Sequence, residues 1–211
     1  MMEIYRINIK NFEDPLENQR LLELVGPRRR NKVIRYYLPD DRKRSLGAGI
    51  IIQKILTEHG FSEDSLKYSE NKKPFADNLF FNISHAGDYI MGVLSDCEVG
   101  CDIERVVPAP FEIAEHYFCP AELEYIKSAK EKDKAFFTLW TLKESYMKMT
   151  GQGMSLSLDS FEIIQTTNGF TLGNPSPKHC VFKTVEFEDY VFSICNENDF
   201  TLPRTHLYDL L

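Results

Sequence analysis

The stretch Trp140–Lys148, WTLKESYMK, decides how the rest of the chain reads. It sits in a helical pattern running from Asp133 to Met149, with Gly151 and Gly153 behind it as stop signals. At about 100° per residue, Phe136, Phe137, Leu139, Trp140, Tyr146 and Met147 share one arc of this helix. Lys143 and Glu144 fall inside the same arc, and Lys148 lies at its edge. Charges on the face that a helix buries need a partner or a metal, because an ionised group taken out of water is costly. Two explanations stand side by side at this point. Glu144 and Lys148 can form an ion pair at i,i+4, worth a few tenths of a kcal/mol on a surface, or the charges can serve a site.

Working outward, 211 residues with 43% hydrophobic and 27% charged side chains describe a globular protein of one large domain or two small ones. No apolar run approaches the roughly 20 residues of a membrane span. The start, MMEIYRINIKNFED, alternates like a strand and lacks the apolar core of a signal peptide, so the expected location is the cytoplasm. Five cysteines (97, 101, 119, 180 and 195), with no C-x-x-C pair, argue against a disulfide framework and a standard zinc site. The net charge of −7 disfavours general nucleic-acid binding, which neutralises many phosphates. One segment opposes the trend: Arg28–Arg44 holds eight basic residues and two acids, a net +6 that leaves −13 for the remainder. A compact basic patch on an acidic protein suits a small polyanion, and a solvated helix face is the alternative.

The pattern predicts a strand over Met2–Ile9, and helices over Pro15–Leu24, Pro27–Tyr37 and Asp40–His59. Strands follow at Leu79–Ser84, Tyr89–Ser95 and Val99–Val106, the first two separated by a turn at Ala86-Gly87-Asp88. Pro108 and Pro110 mark a boundary, dividing the chain into halves at 1–107 and 108–211. The second half opens with helices over Ile113–Phe118 and from Pro120, continues through the long helix, and ends in strands at Phe161–Gln165, Gly169–Leu172, Cys180–Val185 and Tyr190–Cys195. The class is α+β, and the order of elements allows two similar halves.

Asp102 and Glu104 are two apart on a strand, so both point to one face, roughly 7 Å apart, while Val99, Cys101, Ile103 and Arg105 take the other. Such a pair suits an exposed edge strand or a hard cation such as Mg²⁺. With Glu144 as a third acid, basic residues for phosphates, and Lys143 or Lys148 to balance charge, the set matches the equipment of phosphoryl-type transfer.

These residues carry a family resemblance. Gly100-Cys101-Asp102-Ile103-Glu104 is similar to a G-x-D-x-E segment, and Trp140–Lys148 fits W-x-x-K-E-S-x-x-K at every defining position. Asn82-Ile83-Ser84-His85 and Lys73-Pro74 match two further stretches. In this order and spacing, over nearly the whole length, the chain resembles the 4'-phosphopantetheinyl transferases of the larger, surfactin-synthetase-associated type. The resemblance implies a monomeric pseudodimer, each half a small, mainly antiparallel sheet packed against a long helix. It implies transfer of the phosphopantetheine of coenzyme A to a serine of an apo acyl or peptidyl carrier protein, with Mg²⁺, and no role for nucleic acid or membrane.

Position by position, Asp102, Glu104 and Glu144 would hold Mg²⁺ with the coenzyme A pyrophosphate. Glu144, directly or through water, is the first candidate for the base, and Lys148, with Lys143, would contact the pyrophosphate and assist the leaving 3',5'-ADP. Arg29, Lys32, Arg44, Lys73, Ser84 and His85 would bind the rest of the coenzyme. Arg29 stands where the family has lysine, a change that suits phosphate through its planar fork. Cys101 replaces an aliphatic residue on the core side of its strand. A metal-dependent nucleotide phosphohydrolase and a catalytically silent coenzyme A-binding relative are the alternatives.

Overall fold

The computed structural model describes residues 2–173, 179–202 and 205–207. The alternating MEIYRIN forms β1 (Met2–Asn8), followed by α1 (Gln19–Glu23), α2 (Pro27–Val33) and α3 (Pro39–Glu58). Then come β2 (Lys67–Tyr68), β3 (Pro74–Phe75), β4 (Phe80–Ala86), β5 (Tyr89–Ser95) and β6 (Val99–Arg105). Beyond the prolines lie α4 (Phe111–Tyr117), α5 (Pro120–Ser128) and α6 (Lys132–Thr150). The strands β7 (Ile163–Thr166), β8 (Gly169–Leu172), β9 (Val181–Phe187), β10 (Tyr190–Asn196) and β11 (Thr205–Leu207) complete the described chain.

Two expected helices are shorter than their patterns, each for a local reason. Residues 15–17 form a turn instead of the first turns of a helix, because the Asp14 carboxylate accepts from the Leu16 N–H and its carbonyl from Glu17 and Asn18. Asn18 then caps α1, its side chain accepting from the Arg20 N–H. The helix expected to reach Tyr37 ends at Val33. The Arg42 guanidinium donates to the carbonyls of Tyr36 and Tyr37 at 2.8 and 2.7 Å, and these carbonyls lie in the link to α3. Strand β4 runs two residues past its expected end, leaving a tight turn at Gly87 (φ +52°) and Asp88 before β5.

The architecture is α+β in two similar halves. One sheet has the order β11-β1-β5-β4, antiparallel except for the β1–β11 pair, and α3 packs on it through Leu46, Ile50, Ile51 and Ile55 against Ile7, Phe81 and Ile90. The other has the order β6-β10-β9, antiparallel throughout, with α6 on its face and a core of Phe136, Leu139, Leu142, Tyr146 and Phe182. A third apolar cluster, with Ile4, Met91 and Val93 from one sheet and Cys101, Ile103, Phe192 and Ile194 from the other, joins the halves. Strand β6 precedes Pro108 yet pairs with β10, and β11 returns to β1. The proposed division at 107/108 therefore runs between halves that exchange strands.

Where the sheets meet, β4 lies beside β6 without a backbone ladder. The Cys101 N–H donates to the Asn82 side-chain oxygen at 3.0 Å, and Ser84 reaches Asp102. Burial pushes the Cys101 thiol up to about 12, so it is a neutral, apolar member of this seam.

Candidate active site

Gly100 sets the depth of the site. A Cβ there would stand 2.0 Å from the Ser145 carbonyl oxygen and 2.3 Å from the Met149 nitrogen. Only a glycine lets the backbone of α6 lie on β6 at this distance. Close approach brings the cleft-facing residues of α6 beside Asp102. A second tie, between the hydroxyls of Thr141 on α6 and Ser193 on β10 at 2.8 Å, holds the helix to the next strand.

The resulting cavity, about 350 Å³, is lined by Ile83, Ser84, His85, Asp102, Glu104, Trp140, Glu144 and Lys148. Three strands or helices thus deliver the N-I-S-H, D-x-E and K-E-S-x-x-K residues to one place. Asp102 is buried, and its Oδ1 accepts from Lys148 Nζ at 2.6 Å and from Ser84 Oγ at 2.7 Å. Lys148 Nζ also donates to Ser84 Oγ at 3.1 Å. The ion pair of Lys148 is therefore with Asp102 across the seam, not with Glu144 one turn earlier.

Charge is crowded here. Burial, then the neighbouring Asp102 and Glu144, push Glu104 up to about 7, while Lys148 and a hydrogen bond from the Trp140 indole work the other way. Burial and Asp102 likewise raise Glu144 against the pull of Lys148. Burial draws the Lys148 ammonium down, but the charge and hydrogen bond of Asp102 outweigh it and hold the group above its ordinary value. His85 stands at the mouth, partly open to solvent. Its imidazole is held below the ordinary value first by lost hydration, then by Arg44 and Lys148.

The site fits a hard divalent cation by its donor set: three carboxylates against one ammonium, with the Oδ2 of Asp102 buried and lacking a hydrogen-bond partner. As placed, no three His, Cys, Asp or Glu side chains among the described residues close around one point. Lys148 supplies the positive charge beside Asp102.

Not every expected residue is in this cavity. Lys143 is corrected: it points away from the cleft, fully buried, with its ammonium 2.7 Å from Glu122 Oε1. Adjacent positions on a helix diverge by about 100°, so Lys143 and Glu144 share a wide arc but face different neighbours. Lys73 donates to Glu98 at 2.6 Å and to the Met149 carbonyl at 3.2 Å, near the end of α6. Arg44 donates to the Gly87 carbonyl at 3.2 Å and to Asp41 at 2.8 Å, flanking His85 outside the acidic cavity.

Arg29 and Lys32 line a separate cavity of about 480 Å³ between α2, α3 and β2, together with Arg28, Arg35, Tyr36 and Tyr68. Glu63 fixes its floor by accepting the N–H groups of Arg28 and Arg29 at 3.1 and 2.8 Å. Burial holds Arg29 below its ordinary value, and burial with Arg29 does the same to Lys32, as expected for cations gathered for an anion. Sequence reasoning missed Glu122, an acid on an amphipathic helix that looks solvated. The indole bond to Glu104 was missed as well, although the tryptophan lies one turn before Glu144.

Comparison with known proteins follows the same residues. The model of the 4'-phosphopantetheinyl transferase superfamily matches residues 98–195, which include both acidic motifs. The 4'-phosphopantetheinyl transferase Sfp of Bacillus subtilis (strain 168) is 31% identical over 206 residues, 92% of either chain. The transferase gsp of Aneurinibacillus migulanus is 30% identical over 204 residues, 93% of this chain and 86% of that one. Among solved structures, the holo-[acyl-carrier-protein] synthase of Neisseria meningitidis matches with a TM-score of 0.42 and 16% identity, covering 48% of this chain and 98% of that one. With the two acidic motifs meeting in one cleft and nearly the full length shared with Sfp, the chain belongs to the 4'-phosphopantetheinyl transferases of the surfactin-associated, Sfp type.

Proposed function

We propose that this protein transfers the 4'-phosphopantetheine group of coenzyme A to a serine of an apo acyl or peptidyl carrier protein, releasing 3',5'-ADP in a Mg²⁺-dependent reaction. The observation that carries the reading is the meeting of Asp102, Glu104, Glu144 and Lys148 in one cavity. Asp102, Glu104 and Glu144 would hold Mg²⁺. The bound cation supplies neutralisation of the pyrophosphate charge.

The chain's own residues account for the remaining work. Arg29 and Lys32, in the basic cavity, and Arg44, tied to the Gly87 carbonyl and Asp41, hold phosphates of the coenzyme. Ser84 and His85, at the mouth, hold the adenosine and 3'-phosphate end. Lys73, tied to Glu98, supports the adenosine side of the site. Glu144, directly or through a water, takes the proton of the carrier serine as its oxygen attacks the β-phosphorus. The bond from that phosphorus to the bridging oxygen breaks, and Lys148 neutralises the 3',5'-ADP that departs. Positioning and charge compensation carry most of the rate in such transfers.

No helix among the described residues is long and apolar enough to cross a membrane. We take the protein to act in the cytoplasm as a monomer, its own two halves supplying the seam. Release of 3',5'-ADP tests the reading: it should require coenzyme A, Mg²⁺ and an apo carrier together. Release without a carrier favours the phosphohydrolase alternative, and coenzyme A binding without release favours the silent relative.

A further inference from the structure

Beneath the cleft, Glu122 and Lys143 form a unit with neither side chain exposed. The Lys143 ammonium donates to Glu122 Oε1 at 2.7 Å, to the Leu158 carbonyl at 2.7 Å and to the Phe161 carbonyl at 2.8 Å, which uses all three of its protons. It also lies 4.3 Å from the centre of the Phe161 ring. Glu122 Oε1 accepts in addition from the Ile163 N–H at 2.7 Å, and Oε2 from the Cys119 N–H at 2.8 Å. The start of α5, the loop before β7 and β7 itself are thereby gathered onto the residue that directly precedes Glu144.

A buried ion pair is weak evidence for stability, since well-packed apolar replacements are often neutral or stabilising, whereas its geometry is highly specified. Here the geometry has one outcome. Lys143 is tied on the far side of α6, while Glu144 and Lys148 on the near side line the cavity with Asp102 and Glu104. We infer that Glu122 and Lys143 are a positioning pair that sets the rotation of α6, and through it the placement of Glu144, without touching substrate. The inference rests on the reading of Glu144 as an active group of the transfer reaction.

The test is a double-mutant cycle on carrier modification by the full chain at saturating coenzyme A and Mg²⁺. Glu122→Gln keeps the size of the side chain and one acceptor. It should leave the far-UV spectrum and the KM for coenzyme A within about threefold of wild type while lowering kcat at least about tenfold. In a Glu144→Gln background the same change should cost less than about threefold, because the group it positions is already gone. Equal factors in both backgrounds indicate a merely structural pair and overturn the inference, as does a fully active Glu122→Gln. Should that variant not fold, Lys143→Gln enters the same cycle with the same criteria. If Glu144→Gln alone is as active as wild type, the reading of the cleft fails and the inference falls with it, a result distinct from additive losses.

Discussion

Asp102 has one oxygen shared between Lys148 and Ser84 and the other buried without a hydrogen-bond partner, and it is this second oxygen that the proposed cation would meet. The residue two positions earlier decides whether that oxygen has company at all. Adding one methyl group at Gly100 drives a carbon into the Ser145 carbonyl at 2.0 Å, and a helix backbone cannot yield as a flexible side chain can. Gly100→Ala is expected to lower the unfolding free energy by about 3 kcal/mol or more and to separate α6 from β6. Urea unfolding monitored at the single tryptophan measures it, and an unchanged midpoint contradicts the close approach. At this scale the sequence was informative where spacing fixes direction. A two-residue step on a strand puts Asp102 and Glu104 on one face, and both line the cavity. It was less informative on the helix, where an arc wide enough to hold Lys143 and Glu144 together spans two environments. Periodicity finds the buried arc, but only the opposing residues, Glu122 on one side and Asp102 on the other, assign each charge.

Elements were legible by type and less so by extent. Proline and glycine placed both ends of α3, the start of α5 and the end of α6 within a residue or two. The helices before and after Gly26 came out short, because long-range groups intervene: Asp14 and Arg42 bind each other across 28 positions and take up neighbouring backbone groups. The hydrogen bonds of that pair hold the link after α2, and hence the basic segment, against α3. The Asp14 carboxyl is held below its ordinary value of 3.8, chiefly by the hydrogen bond from Arg42. A carboxyl depressed in the folded chain contributes stability that is present above the unfolded value and lost as pH falls through the folded one. Asp14→Asn should therefore be less stable than wild type near neutral pH, with the gap narrowing at a pH below the ordinary value of 3.8. Denaturant midpoints at the two pH values check this, and a gap that widens in acid contradicts the pairing.

Over the whole molecule, the two halves share strands and a common apolar seam of Met91, Cys101, Ile103 and Phe192, among others. A cut at the prolines would remove β6 from its sheet and leave the acids of the D-x-E motif without the helix that faces them. One cooperative unfolding transition is expected in calorimetry, and two resolved transitions would show halves that stand alone. The exchange of strands was not legible, since pairing partners lie about ninety residues apart and no local signal names them. What the halves share matters for function because the site lies between them: Ser84 and His85 come from one sheet, Asp102 and Glu104 from the other, and Glu144 and Lys148 from its helix. The most direct measurement is the intact mass of an apo carrier protein after incubation with this protein, coenzyme A and Mg²⁺, beside the same reaction with a folded Asp102→Ala variant. The account predicts a gain of one phosphopantetheinyl group on the carrier serine with the wild-type chain and a rate lower by about a thousandfold with the variant. No gain across acyl and peptidyl carriers, or an equal gain with Asp102→Ala, would contradict it.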